Sequence, residues 1–191
     1  FEIKKNIRTT LNIISIGRTH WKKGYTYALD AMPFLQQQNS SFQYSLLGVR
    51  PSEELLFQLN DLNLYHHVVF KDAVPFEQVI QEIRNADVLL LPSVEEGIAN
   101  VVLEAMALGT LVVTTACGGM TEVVTDGVNG FVVPVRNPKA IAAALMKVSE
   151  LTLEDYQRMT KAARNTIEKN FTEQQMVEAM QKLYQPLETQ A

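Results

Sequence analysis

From Leu11 to Pro134 the chain alternates short apolar runs with segments of helical spacing, and this alternation constrains the fold more than any other feature. Leu11–Gly17 (LNIISIG), Phe42–Gly48 (FQYSLLG), His67–Phe70, Val88–Leu91, Leu111–Thr115 and Phe131–Val133 read as strands. Lys23–Gln38, Ser52–Leu62, Phe76–Asn85, Asn100–Leu108 and Thr121–Thr125 read as the helices between them. Tyr27, Ala28, Ala31, Met32 and Leu35 give the first helix an apolar face at helical spacing. Pro51 and Pro75 stand near helix starts, where a missing N–H is harmless. Strands that are apolar on both faces and separated by helices predict a parallel sheet covered on both sides. Its crossovers should be right-handed. The predicted fold class is α/β, a doubly wound parallel sheet.

From Pro138 onward the strand signal stops. Three helices are predicted, Pro138–Ser149, Leu153–Asn170 and Glu173–Tyr184. Thr152 with Asp155 and Thr172 with Gln175 have capping-box spacing, which marks two of the starts. Met176, Met180, Leu183 and Tyr184 form a stripe on the last helix that needs an apolar partner. The chain's own core would be expected to cover part of it.

Composition narrows the function. The 191 residues carry 17 Lys+Arg against 21 Asp+Glu, a net charge of −4, which is not the basic footprint of a nucleic-acid binder. A small anionic ligand needs only a few local cations. A single cysteine, Cys117, excludes an internal disulfide and a Cys-rich metal site. No apolar run approaches the ~18 residues of a membrane span, and no signal-peptide pattern opens the chain. The expected location is cytoplasmic.

Ligands of open parallel sheets bind beyond the carboxyl ends of the strands, so the residues after each strand carry the functional reading. After the first strand, GRTHWKKG (Gly17–Gly24) is neither a P-loop nor GxGxxG, but it places Arg18, Lys22 and Lys23 at a helix entry. Cations there oppose the helix dipole unless an anion lies between them, and a phosphate would suit both. After the fourth strand, PSVEEGIANVVLEAMALG (Pro92–Gly109) puts Glu96 in a loop and Glu104 one turn into a helix, both toward the ligand edge. Glu104 could accept two hydroxyls of a ribose. Helix amides around Asn100 and Val101 suit phosphate. A glycosidase pair would need both acids on one bond and is the weaker reading. After the fifth strand, ACGGMTEVVTDGVNGFVVP (Ala116–Pro134) has Gly118-Gly119, which admits close approach of a ligand at a helix start. His20 reads as a solvated loop residue. His66 and His67 read as strand neighbours facing opposite ways, unable to chelate one metal together. Cys117 reads as a small residue in a tight turn.

Together these three segments resemble the retaining glycosyltransferases of family 4 (glycosyl transferases group 1). The resemblance covers the C-terminal, donor-binding half, from about Leu11 to Pro134, with a compatible helical tail. It implies a Rossmann-like domain that is one half of a GT-B fold. Residues 1–10 are then expected to be an interdomain linker remnant, 11–170 the nucleotide-sugar-binding domain, and 171–191 a C-terminal helix packing toward an N-terminal acceptor domain that this chain lacks.

The resemblance also implies roles. Arg18 and Lys23 match the pair that neutralises the nucleotide diphosphate, and Glu104 the acid that binds the ribose. Glu96 matches the acid facing the donor sugar. Gly17, Gly97, Ala99, Asn100 and Val101 fall in the donor-binding segments. Sugar transfer with retention is implied, with a nucleotide-diphosphate sugar as donor and a glycan or lipid-linked acceptor. No metal or other cofactor is expected, because cations and helix amides would stabilise the leaving diphosphate. The partners implied are the donor and the enzyme's own acceptor domain, with no nucleic acid. Peripheral association with the inner membrane face is compatible with this, and the fragment alone is expected to be inactive. Three positions depart from the family pattern: Ala99 replaces a common glycine, Gly48-Val49-Arg50 replaces a Gly-Asp-Gly type turn, and Asp72 stands where glycine is common. A nucleotide-sugar epimerase of the same two-lobed fold and a non-catalytic nucleotide-binding module are the alternatives.

Overall fold

A computed structural model of the chain describes residues 9–38 and 40–188. Residues 1–8 of the expected linker remnant lie outside the described residues, as do 189–191 of the expected terminal helix. The strands are β1 (Leu11–Ile16), β2 (Phe42–Leu47), β3 (Val68–Lys71), β4 (Val88–Leu91), β5 (Leu111–Thr115) and β6 (Phe131–Val133). The helices are α1 (Tyr25–Gln37), α2 (Glu53–Asp61), α3 (Phe76–Asn85), α4 (Asn100–Leu108), α5 (Met120–Val123), α6 (Pro138–Glu150), α7 (Leu153–Asn170) and α8 (Glu173–Glu188). The strands form one sheet in the order β3-β2-β1-β4-β5-β6, every pair parallel.

This order reverses between β1 and β4, and that reversal positions the site. The chain winds outward from β1 to β3, then returns to the centre with β4 and winds the other way. The helices after β1 and β4 therefore lie on opposite faces of the sheet, and the loops leading into them border a crevice at the carboxyl edge.

The two-residue repeat of the strands separates two cores. Ile13, Tyr44, Leu46, Val88, Leu90 and Val113 face α1 and α6, which pack on each other. Ile14, Leu47, Leu89, Leu91 and Val112 face the other way, against Ile83, Val102, Met106 and Ala163 of α3, α4 and α7. Ile13 and Ile14 are each almost wholly buried although they point in opposite directions. That is why β1 shows no polar alternation in the sequence. Burying a side chain of this size contributes roughly 1.5–3 kcal/mol.

Local chemistry sets the helix ends. Ser52 Oγ accepts from Leu55 N (3.3 Å) and Asn137 Oδ1 from Ala140 N (3.0 Å). Thr172 Oγ1 accepts from Gln175 N (3.3 Å) while Thr172 N donates to Gln175 Oε1 (3.0 Å), a reciprocal capping box. At α7, Asp155 N donates to Thr152 Oγ1 (3.1 Å).

The structure corrects two local expectations and shows how far the last helix is covered. α1 begins at Tyr25, not Lys23, because Gly24 adopts a left-handed backbone (φ +67°) that ends a 3-10 turn over Trp21–Lys23. β3 begins at Val68, so His66 and His67 lie in the turn before it rather than side by side in a strand. His67 stacks on Phe42 (4.7 Å between ring centroids) and its Nδ1 lies 3.2 Å from the Phe42 carbonyl oxygen. On α8, Met176, Met180, Leu183 and Tyr184 are all at least half exposed, so the described core covers little of the apolar stripe.

Candidate functional site at the carboxyl edge of β1 and β4

The loop after β1 and the loop after β4 are joined by backbone and by side chains. Val94 N donates to the Lys22 carbonyl (2.7 Å). Gly24 lies against Pro92, and a Cβ there would stand 2.0 Å from the Pro92 carbonyl oxygen, so only glycine fits. Two ion pairs then bridge the loops, Lys22 Nζ–Glu95 Oε1 at 2.8 Å and Lys23 Nζ–Glu96 Oε2 at 2.5 Å. The first is exposed. The second is half-buried and takes a further 3.5 Å contact from Ser93 Oγ.

The cations at this helix entry are thus already balanced in the free protein by Glu95 and Glu96. That revises the expectation that only a bound anion could relieve them. A ligand phosphate would compete with Glu96 for Lys23. Arg18, one residue past Gly17, is exposed and forms no ion pair with the described residues. His20, expected to be merely solvated, accepts from Lys22 N through Nδ1 (3.2 Å) and stacks on Trp21.

Behind Glu96 stands the segment after β5. Gly118 (φ +50°) packs so closely that a Cβ would lie 1.6 Å from the Glu96 carbonyl oxygen. A Cβ at Gly119 would lie 2.7 Å from Ile98 Cγ1. The Gly-Gly pair therefore accommodates the Glu96 loop. Thr115 Oγ1 donates to the Ser93 carbonyl (2.5 Å) and lies 3.3 Å from Cys117 Sγ, which is buried.

Gly97 is exposed with nothing within 4 Å of a Cβ, Ala99 is buried at the start of α4, and no side chain caps the α4 amides. Asn100 is exposed and Val101 half-buried in its first turn. Glu104, one turn further, is half-buried, and burial holds its carboxyl above the usual carboxylate range. No hydrogen bond or ion pair joins its side chain to a described residue. Among the described residues no group of three or more His, Cys, Asp or Glu is arranged to hold a metal ion.

Two cavities flank the loops. One of about 370 Å³ lies at the ends of β2 and β3, lined by Gly48, Val49, Arg50, Lys71, Asp72 and Ala73, which include both turns that depart from the family pattern. Another of about 390 Å³ is lined in part by Thr19, Trp21, Tyr25, Tyr27, Ser52 and Arg136. Tyr25, the first residue of α1, was not singled out in the sequence, where it reads as an ordinary apolar position.

Residues 2–166 match the family Glycosyl transferases group 1. The chain belongs to this family. Among curated members it is 34% identical over 191 residues to the glycosyltransferase WcaL of Escherichia coli K12, named for colanic acid biosynthesis. That match takes in 94% of this chain and 46% of WcaL. The chain thus spans about half the length of the curated relatives it matches. Its fold superposes on Anabaena Alr3699/HepE, solved with UDP and glucose, with a TM-score of 0.79 at 23% identity, over 91% of this chain and 48% of that one. It also superposes on the C-terminal domain of the group 1 family protein LpcC from Francisella tularensis (TM-score 0.75, 19% identity), over 85% of this chain and 87% of that domain. The fold is the Rossmann-like architecture of GT-B glycosyltransferases with a helical C-terminal part.

Proposed function

We propose that this group 1 glycosyltransferase chain is the donor-binding half of a retaining, metal-independent enzyme that takes a sugar from a nucleotide-diphosphate sugar. The observation that carries the reading is the Lys23–Glu96 pair, which spans β1 and β4 where the strand order reverses. Cation and carboxylate meet at the point where an open sheet presents its crevice. The ligand reported in HepE, UDP with glucose, is of the class such a site would hold.

In this reading the diphosphate lies against Gly17, Arg18, Lys23 and the α4 amides from Ala99 to Val101. Glu96, released by Lys23, faces the donor sugar beside Gly97, and Glu104 accepts the ribose hydroxyls. The cavity at Gly48–Arg50 and Lys71–Ala73 is next along the edge and has room for the base. As the glycosidic bond breaks, charge grows on the diphosphate, and fixed cations and amides stabilise it without a metal. A glycan or lipid-linked acceptor would be bound by a separate acceptor domain, so this chain alone would bind donor without transferring sugar. A cytoplasmic site of action, with the whole enzyme at the inner membrane face, accompanies this proposal.

Two cations, a ribose carboxylate and helix amides together support about −4 to −8 kcal/mol, millimolar to micromolar affinity. Calorimetry of the 191-residue chain against UDP, GDP, ADP and their sugars tests this. Binding of one base family in that range is expected. Indifference to all of them would overturn the reading.

A further inference from the structure

The roles above leave the phenol of Tyr25 unused. Tyr25 is 4% exposed, and its hydroxyl has no hydrogen-bond partner among the described residues. The neighbouring buried hydroxyls are satisfied: Tyr44 OH and Ser15 Oγ are 2.8 Å apart, and Ser15 Oγ donates to the Leu90 carbonyl at 2.6 Å. A buried hydroxyl left unpaired is destabilising, and native interiors seldom keep one without a use.

Its position indicates the use. The hydroxyl stands over Gly17, the residue that closes β1; a Cβ on Gly17 would lie 2.8 Å from Tyr25 OH and 3.7 Å from Lys23 Cε. The phenol oxygen and the Lys23 stem thus border the same point at the carboxyl edge, in the space that a Gly17 side chain would take. Burial, reinforced by the Glu96 charge, raises the phenol well above its ordinary value. It therefore stays protonated and keeps a hydrogen to donate.

We propose that Tyr25 OH donates a hydrogen bond to a phosphate oxygen of the nucleoside diphosphate, making it a donor-binding residue beside Lys23 and Arg18. This rests on the donor-half reading above. A phosphate oxygen over Gly17 supplies the acceptor that the fold withholds from Tyr25. Glu96, the carboxylate whose charge bears on the phenol, is held by Lys23 and Ser93 in the free protein. The hydroxyl is thus left for the ligand.

The test is Tyr25→Phe, which keeps the ring and removes one oxygen, with Tyr44→Phe as the comparison. Calorimetry with UDP, GDP and ADP and thermal unfolding without ligand are measured on all three proteins. For Tyr25→Phe, affinity for the preferred diphosphate should fall at least ~5-fold, since a hydrogen bond to a charged group is lost. The unliganded midpoint should stay level or rise. Tyr44→Phe should do the reverse, lowering the midpoint and leaving affinity unchanged. A smaller affinity loss in Tyr25→Phe, or a loss matched by lower unliganded stability, would overturn the proposal. If the wild-type chain binds none of the three diphosphates, the donor-half reading fails and this proposal with it. If it binds and Tyr25→Phe binds equally well, only the role of the hydroxyl fails.

Discussion

Lys23 and Glu96 are 73 residues apart in the chain and 2.5 Å apart in space. One follows β1 and the other β4, and the parallel pairing of those strands brings their loops together. An anion that binds at Lys23 meets this carboxylate and competes with it for the ammonium.

Replacing Lys23 should therefore separate from replacing Lys22, although the two are adjacent. Lys23→Ala is expected to weaken nucleoside diphosphate binding by about 10- to 100-fold, the loss of a charged hydrogen bond. Lys22→Ala should change it by less than ~3-fold, because its partner Glu95 is exposed and such pairs contribute little. Titration calorimetry on both variants decides it, and equal losses would contradict the assigned register.

Gly118 is expected to be the most substitution-sensitive glycine of the crevice. Gly118→Ala places a methyl 1.6 Å from the Glu96 carbonyl oxygen in a left-handed backbone, and should destabilise by more than about 2 kcal/mol. Gly97→Ala, with nothing near its Cβ, should stay within ~0.5 kcal/mol. Urea denaturation of the two variants provides the contrast.

Glu104 should tie stability to pH in an unusual direction. Burial raises its carboxyl above the ordinary value, so the folded state holds the proton more tightly than the unfolded state does. The penalty for its charge is then present above the folded pKa and disappears as pH falls below the unfolded one. Glu104→Gln should melt above wild type at pH 7, and the gap should close toward pH 4. The same variant should bind nucleoside diphosphate more weakly. Melting curves across that range check the sign, and a gap that widens on acidification would refute it.

Asn129 illustrates a polar residue that holds a loop rather than a ligand. Buried below β6, it accepts from Thr125 N (2.7 Å) and donates to the Val123 carbonyl and Thr166 Oγ1 (3.1 Å each). Asn129→Ala removes these three bonds and should destabilise the fold by about 1–3 kcal/mol without altering nucleotide affinity per folded molecule. Denaturation and calorimetry together distinguish this from a binding role.

Much of this molecule was legible in one dimension because its elements are local. Phe76–Asn85, Val88–Leu91, Asn100–Leu108 and Leu111–Thr115 are predicted and found with the same ends, since apolar period, proline and glycine act over a few residues. The candidate residues Arg18, Lys23, Glu96 and Glu104 could be picked out for a related reason. In a parallel sheet the residues after each strand are carried to one edge whatever the strand order. Pairing is different, because it depends on which strand lies beside which. Nothing in the sequence pairs Lys22-Lys23 with Glu95-Glu96, and only the β1–β4 neighbourhood makes them meet. Only packing shows that Gly118 lies against the Glu96 loop, and that the Tyr25 hydroxyl at Gly17 has no partner among the described residues. Sequence by itself determined the alternation of strands and helices and the chemistry available at their ends. Tertiary structure decided which charges neutralise each other and which buried hydroxyl has no partner among the described residues, because those depend on distances across strands that no local pattern encodes.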